Sequence, residues 1–81
     1  MNHQLKVWKE FFEPLQTRKK TFEVRRNDRG FKAGDILFLC EFDNETETFT
    51  GERLTAEVEY VLQGGKFGIE QGYVVMAIKV W

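Results

Sequence analysis

The sequence predicts a mainly β domain of the α+β kind: a small antiparallel β-barrel of about five strands with one early short helix. Three observations carry that expectation. Five stretches either alternate apolar and polar residues or run apolar for five positions and more, while a single stretch has helical spacing. The connections between them are short or rich in glycine, so no helix can follow every strand and a doubly wound parallel sheet is excluded. Finally, 81 residues with 42% hydrophobic and 15% aromatic content suffice for one domain, 1–81, and no more. In so small a chain, closing the sheet on itself removes exposed edges and leaves an open end for the helix to plug.

The elements follow in order. His3, Leu5 and Val7 alternate with Gln4, Lys6 and Trp8, which suits a short opening strand at or near an edge. Trp8, Phe11, Phe12 and Leu15 fall at i, i+3, i+4 and i+7, the core-facing stripe of a helix over about residues 9–17. Pro14 is tolerated only in a first turn, so the helix must start late or begin irregularly. Over Thr21–Arg26 the period returns to two, with Phe22 and Val24 on one face and Thr21, Glu23 and Arg25 on the other: a strand half buried, half polar.

Asn27-Asp28-Arg29-Gly30 and Lys32-Ala33-Gly34-Asp35 are turn chemistry, leading into Ile36–Cys40, apolar on both faces. Phe42–Gly51 reads as a long polar hairpin loop. Leu54, Ala56, Val58, Tyr60 and Leu62 then mark the inner face of an amphipathic strand. A loop carrying Gly64, Gly65, Gly68 and Gly72 precedes the last strand, Tyr73–Trp81.

Several functions are excluded. Cys40 is the only cysteine and His3 the only histidine, so neither an intrachain disulfide nor a four-ligand zinc site can form; no metal or cofactor is expected. Neither a membrane span of about 20 apolar residues nor a signal core is present, and a reducing, cytoplasmic home is expected. Gly64-Gly65-Lys66-Phe67-Gly68 lacks the spacing, the hydroxyl after lysine and the following helix of a phosphate loop. Asp43-Asn44-Glu45-Thr46-Glu47 starts like a calcium loop but lacks its central glycine and closing glutamate. Cys40, within an apolar strand, reads as an inert core thiol, and His3 is assigned no role.

Net charge is −1, which argues against a protein that coats nucleic acid over its whole surface. The distribution is uneven. Arg18–Lys32 holds seven basic residues against two acidic ones, whereas Glu41–Glu59 holds seven acidic residues against one basic. One region attracts anions and the other repels them.

Within the basic region, Glu23 and Arg25 share a strand face and Lys20 stands at the bend before it, so ammonium, carboxylate and guanidinium can converge. Such a trio suits a polar planar ligand such as a nucleobase: the arginine offers a bidentate fork, the glutamate accepts from an amino edge, and the lysine meets an oxyanion. A surface ion-pair ladder would use the same residues, each pair contributing at most about 1 kcal/mol.

Arg18-Lys19-Lys20-Thr21-Phe22-Glu23-Val24-Arg25, followed by Asn27-Asp28-Arg29, Phe31 and Gly34-Asp35, resembles the ASCH branch of the PUA-like superfamily, and in particular its small bacterial and phage-borne domains without an assigned function. The likeness runs nearly end to end, with Phe67-Gly68 and Gly72-Tyr73-Val74-Val75 also fitting. The family signature is Gly-x-Lys-x-x-Glu-x-Arg around a helix-to-strand bend. Lys20, Glu23 and Arg25 match it, and Arg18 stands at the glycine place.

The resemblance implies a small β-barrel with a cleft beside its early helix and RNA-linked work. The first expectation is therefore an RNA- or nucleotide-binding module, in which Lys20, Glu23 and Arg25 hold a base or nucleoside and Arg18, Lys19, Arg26, Arg29 and Lys32 contact phosphates. A second is a small amidohydrolase on N4-acylated cytosine nucleosides, since some compact ASCH-like proteins resemble such enzymes. Lys20 and Glu23 would then be catalytic, although the threonine those enzymes carry three residues after the lysine is Glu23 here, and Thr21 is the nearest hydroxyl. A third is a protein-interaction module docking through the acidic hairpin.

Overall fold

A computed structural model describes residues 1–81. Five strands and one helix follow one another as β1 (Asn2–Trp8), α1 (Lys9–Gln16), β2 (Phe22–Arg26), β3 (Ile36–Asp43), β4 (Thr48–Gln63) and β5 (Tyr73–Val80). They form one sheet in the order β1-β3-β4-β5-β2. Three of its pairings are antiparallel and only β1 with β3 is parallel, with His3 opposite Leu37 and Leu5 opposite Leu39. The fold is the mainly β class the sequence predicts, a five-stranded half-barrel with one short helix.

The core lies on the concave side. Leu5 and Val7 of β1, Leu37 and Leu39 of β3, Ala56 and Val58 of β4, and Val74, Met76 and Ile78 of β5 all point into it, at the strict period of two that their strands impose. The helix closes the open side with only Phe12 and Leu15 buried, each burial stabilising by about 1.5–3 kcal/mol. Trp8 and Phe11, the other half of the expected stripe, remain 46% and 44% exposed. Their placement corrects the core reading. Trp8 is still the last residue of β1 rather than a helical residue, so the helical face is narrower than the spacing suggests.

Pro14 also departs from expectation. It sits in the sixth of eight helical positions rather than in a first turn. The N–H it lacks would have bonded to the carbonyl of Glu10; its own carbonyl instead accepts from the N–H groups of Lys19 (2.8 Å) and Lys20 (3.0 Å). Together with Arg18 N–H on Leu15 O (3.1 Å), the Lys19 bond makes a Schellman cap, and its left-handed residue is Arg18 at φ 63°. The position that the resemblance sets against a glycine is thus a left-handed turn position. Arginine holds it here, against a conformational preference that favours glycine by about 1 kcal/mol.

Three strand expectations change. The polar hairpin loop expected over Phe42–Gly51 is only Asn44–Glu47; β3 and β4 continue around it, with the rings of Phe42 and Phe49 edge to face at 5.0 Å. Asp43 accepts the N–H groups of Glu45 and Thr46 at the tip, and these bonds hold its carboxyl below the ordinary value. In β4 a bulge between Val58 and Tyr60 flips the alternation, leaving Tyr60 exposed while Val61 packs on the core. In β2 the faces are reversed: Glu23 is buried, whereas Phe22 and Val24 are about half exposed.

β1 and β2 are the sheet's two edges, and no backbone ladder joins them. Side chains bridge the seam instead. Arg25 Nη2 donates to Lys6 O at 2.6 Å, and Arg29 Nη1 donates to Gln4 O at 2.8 Å. Two guanidinium groups thereby satisfy β1 carbonyls that a sixth strand would otherwise take.

Candidate functional site

The seam widens beside the helix into a cleft of about 430 Å³, within the range of small-molecule sites. Lys20, Glu23 and Arg25 all line it. Glu23 is fixed by β2, whose pairing with β5 sets Glu23 opposite Met76 and turns the carboxylate inward. Only 5% of its side chain is exposed, and both oxygens have partners: Lys20 Nζ at 2.8 Å on Oε1 and Arg25 Nε at 3.0 Å on Oε2. A buried carboxylate requires such partners, and none of the buried side-chain polar atoms in the protein lacks one.

The flanking cations remain partly open to water. Lys20 Nζ also donates to Phe22 O at 2.7 Å, and Arg25 reaches across the seam to β1. Each has therefore a defined position and some donor capacity left: Lys20 carries three donors and Arg25 five. The trio that spacing brings together in the sequence is brought together in space.

Aromatic surfaces form the walls. Trp8 and Phe11 stack with centroids 6.4 Å apart and planes 15° from parallel on one side, and Phe22 stands on the other. Lys20 Nζ lies 4.8 Å from the Phe22 centroid and 5.9 Å from that of Phe11, so the ammonium sits between aromatic faces. Apolar walls over a charged floor suit a flat ligand with polar edges. The signal available in the sequence was the excess of large aromatics next to the motif; helical spacing pointed it towards the core.

The remaining basic residues of the Arg18–Lys32 stretch do not line the cleft, although Arg26 and Arg29 share a smaller hollow with Arg25 and Asp28. Arg29 is committed to Gln4 O, and Arg26 lies over the Tyr73 ring at 5.5 Å from its centroid. Lys32 contributes its backbone N–H to Asp35, and the Lys19 side chain is exposed. Arg18 stands at the start of the bend, where its Nη2 lies 3.4 Å from Val80 O.

His3 is the residue the sequence reading passed over. It is buried, its ring edge-on to Phe31 at 4.8 Å, and its Nε2–H donates to Asp35 Oδ2 at 2.8 Å. Burial pushes the Asp35 carboxyl up. Hydrogen bonds from His3 and from Lys32 N–H (3.0 Å), with the terminal ammonium of Met1 at 3.2 Å, outweigh burial and hold it below the ordinary carboxylate value. The parallel pairing of β1 with β3 creates this contact between residues 32 positions apart.

Cys40 is largely buried beside a smaller hollow of about 210 Å³, with Gln4 Nε2 at 3.5 Å from its sulfur. No group of three or more His, Cys, Asp or Glu side chains is arranged to hold a metal ion, and no helix is long and apolar enough to cross a membrane. None of the curated proteins compared matches the chain. A family model does match, over residues 2–78, and the chain accordingly belongs to the family described as a domain of unknown function, DUF3850.

Proposed function

We propose that this domain binds RNA or a nucleotide through the cleft at its helix-to-strand bend. One observation carries the reading: an ammonium, a buried carboxylate and a guanidinium share the floor of a cleft whose walls are Trp8, Phe11 and Phe22. A base has an aromatic face for the walls and a donor–acceptor edge for the floor. The resemblance to ASCH domains of the PUA-like superfamily, carried by Lys20, Glu23 and Arg25, supports the same ligand class.

The amidohydrolase alternative has less support. Lys20 Nζ donates to two acceptors, which is the arrangement of a binding cation rather than of a proton acceptor. Thr21 lines a neighbouring hollow and not the cleft, so no hydroxyl nucleophile stands beside Glu23 there. Docking through the acidic hairpin draws on no comparable constellation.

The test is a titration of short single-stranded RNA at several salt concentrations with wild type and Lys20→Ala. Binding should weaken with a log–log slope of about −0.7 for each phosphate neutralised, and Lys20→Ala should weaken it at least about fivefold. Absence of binding and of thermal stabilisation by RNA, nucleosides and nucleotides alike would refute the proposal.

A further inference from the structure

Resting on the cleft reading, we infer that the ligand carries a phosphate monoester next to its base, and that Arg18 and Lys79 hold it. A second hollow, of about 440 Å³, opens on the other side of Lys20, which lines both cavities. Its polar lining is Arg18, Lys20, Thr21, Lys79 and Glu59. Lys20 is already paired with Glu23 at 2.8 Å, but Arg18 and Lys79 against Glu59 still leave a surplus of positive charge, which attracts a phosphate monoester carrying about −1.5 to −2 near neutral pH.

The cations are available. No carboxylate lies within 4.0 Å of Arg18 or Lys79, in contrast to Lys20 and Arg25 in the cleft. The Thr21 hydroxyl has no hydrogen-bond partner in the protein either, while its backbone carbonyl is fixed by Ile78 N–H at 3.0 Å. A guanidinium fork, an ammonium and a hydroxyl facing one hollow are the donors that phosphate oxygens require. Glu59 opposes them with a single charge, so the hollow suits one phosphate rather than a chain of them.

The backbone at Arg18 points the same way. A left-handed Schellman position favours glycine, yet it carries the one side chain able to fork phosphate at this end of the bend. Lys79, on β5, has no place in the signature; the β5 strand brings it to the same hollow from the far end of the sequence. The two cavities meeting at Lys20 therefore form one site, with the base in the aromatic cleft and the phosphate beyond the lysine. A free nucleoside monophosphate and the phosphorylated end of an RNA share this chemistry.

The experiment compares dissociation constants of the four ribonucleosides, their 5′- and 3′-monophosphates, and a short RNA with and without a terminal phosphate. Wild type, Arg18→Gly and Lys79→Gln are measured in parallel; glycine is compatible with the backbone at position 18, and Lys79 is exposed, so both variants retain the fold. For at least one pair, the monophosphate should bind about tenfold or more tightly than its nucleoside, and that ratio should fall to within about twofold in Arg18→Gly and Lys79→Gln. A gain confined to free mononucleotides identifies the small ligand, and a gain confined to the phosphorylated oligomer identifies an RNA end. Nucleoside and monophosphate binding equally, or a gain that survives both substitutions, would overturn the phosphate site and leave the cleft intact. No binding of any probe would overturn both.

Discussion

Two carboxylates are equally buried in this small domain, and they differ in what surrounds their partners. Asp35 is held by the buried His3, whose imidazole packs against Phe31, by the Lys32 N–H, and by one exposed partner, the terminal ammonium of Met1 at 3.2 Å, which lines none of the cavities described above. Glu23 is as deep, but Lys20 and Arg25 retain 18% and 26% side-chain exposure and look into an aromatic-walled cleft. Hydrogen-bond satisfaction alone does not separate a structural carboxylate from a cleft-facing one. The distinction lies in whether its exposed partners line a cavity: Lys20 and Arg25 do, and the Met1 ammonium does not.

The sharpest break of that contrast is Asp35→Ala. It leaves the buried His3 N–H and the Lys32 N–H without an acceptor, at about 1–3 kcal/mol each, so urea unfolding should show a loss of about 3 kcal/mol with RNA binding retained by the folded fraction. Glu23→Gln should do the opposite. Lys20 and Arg25 can hydrate, which limits the stability loss to about 1 kcal/mol, whereas titration with RNA should show binding at least about tenfold weaker.

Acid separates the two in another way. The Asp35 carboxyl lies below its unfolded value of about 3.9, so its stabilisation is complete above that pH and is lost as pH falls through the folded value. The advantage of wild type over Asp35→Asn should therefore shrink below about pH 4; an advantage constant down to about pH 2.5 would contradict this assignment. The smallest effect is Arg18→Gly, which relieves the left-handed backbone and should raise stability by up to about 1 kcal/mol in the same unfolding assay. Added stability together with a lost phosphate increment would mark Arg18 as a residue held for binding at a cost to the fold.

Local spacing made the trio legible: Glu23 and Arg25 are neighbours on one strand face, and Lys20 is a few residues away at the bend. The pattern of β2 gave its period but not its phase, because an alternating strand reads the same whichever face turns inward. Phe22 and Val24 look like the buried set until the seam is known to lie beside them. Trp8 and Phe11 misled for a related reason: the strand-to-helix junction falls between them, and a helical wheel drawn across it joins residues of two elements. The His3–Asp35 contact and the bulge after Val58 depend on strand pairing, which single-sequence periodicity does not contain. Lys79 was unreadable for the same reason, being carried to the bend by the last strand.

The bridged seam has an evolutionary corollary. A backbone ladder is largely indifferent to which side chains its strands carry, so substitution seldom undoes it, whereas a crossing made by Arg25 and Arg29 can be removed or rebuilt one codon at a time. The width of the opening between β1 and β2 is thus a heritable variable, adjustable without redesigning the sheet. Related chains could accommodate ligands of different girth simply by shortening or lengthening the residues that span the gap.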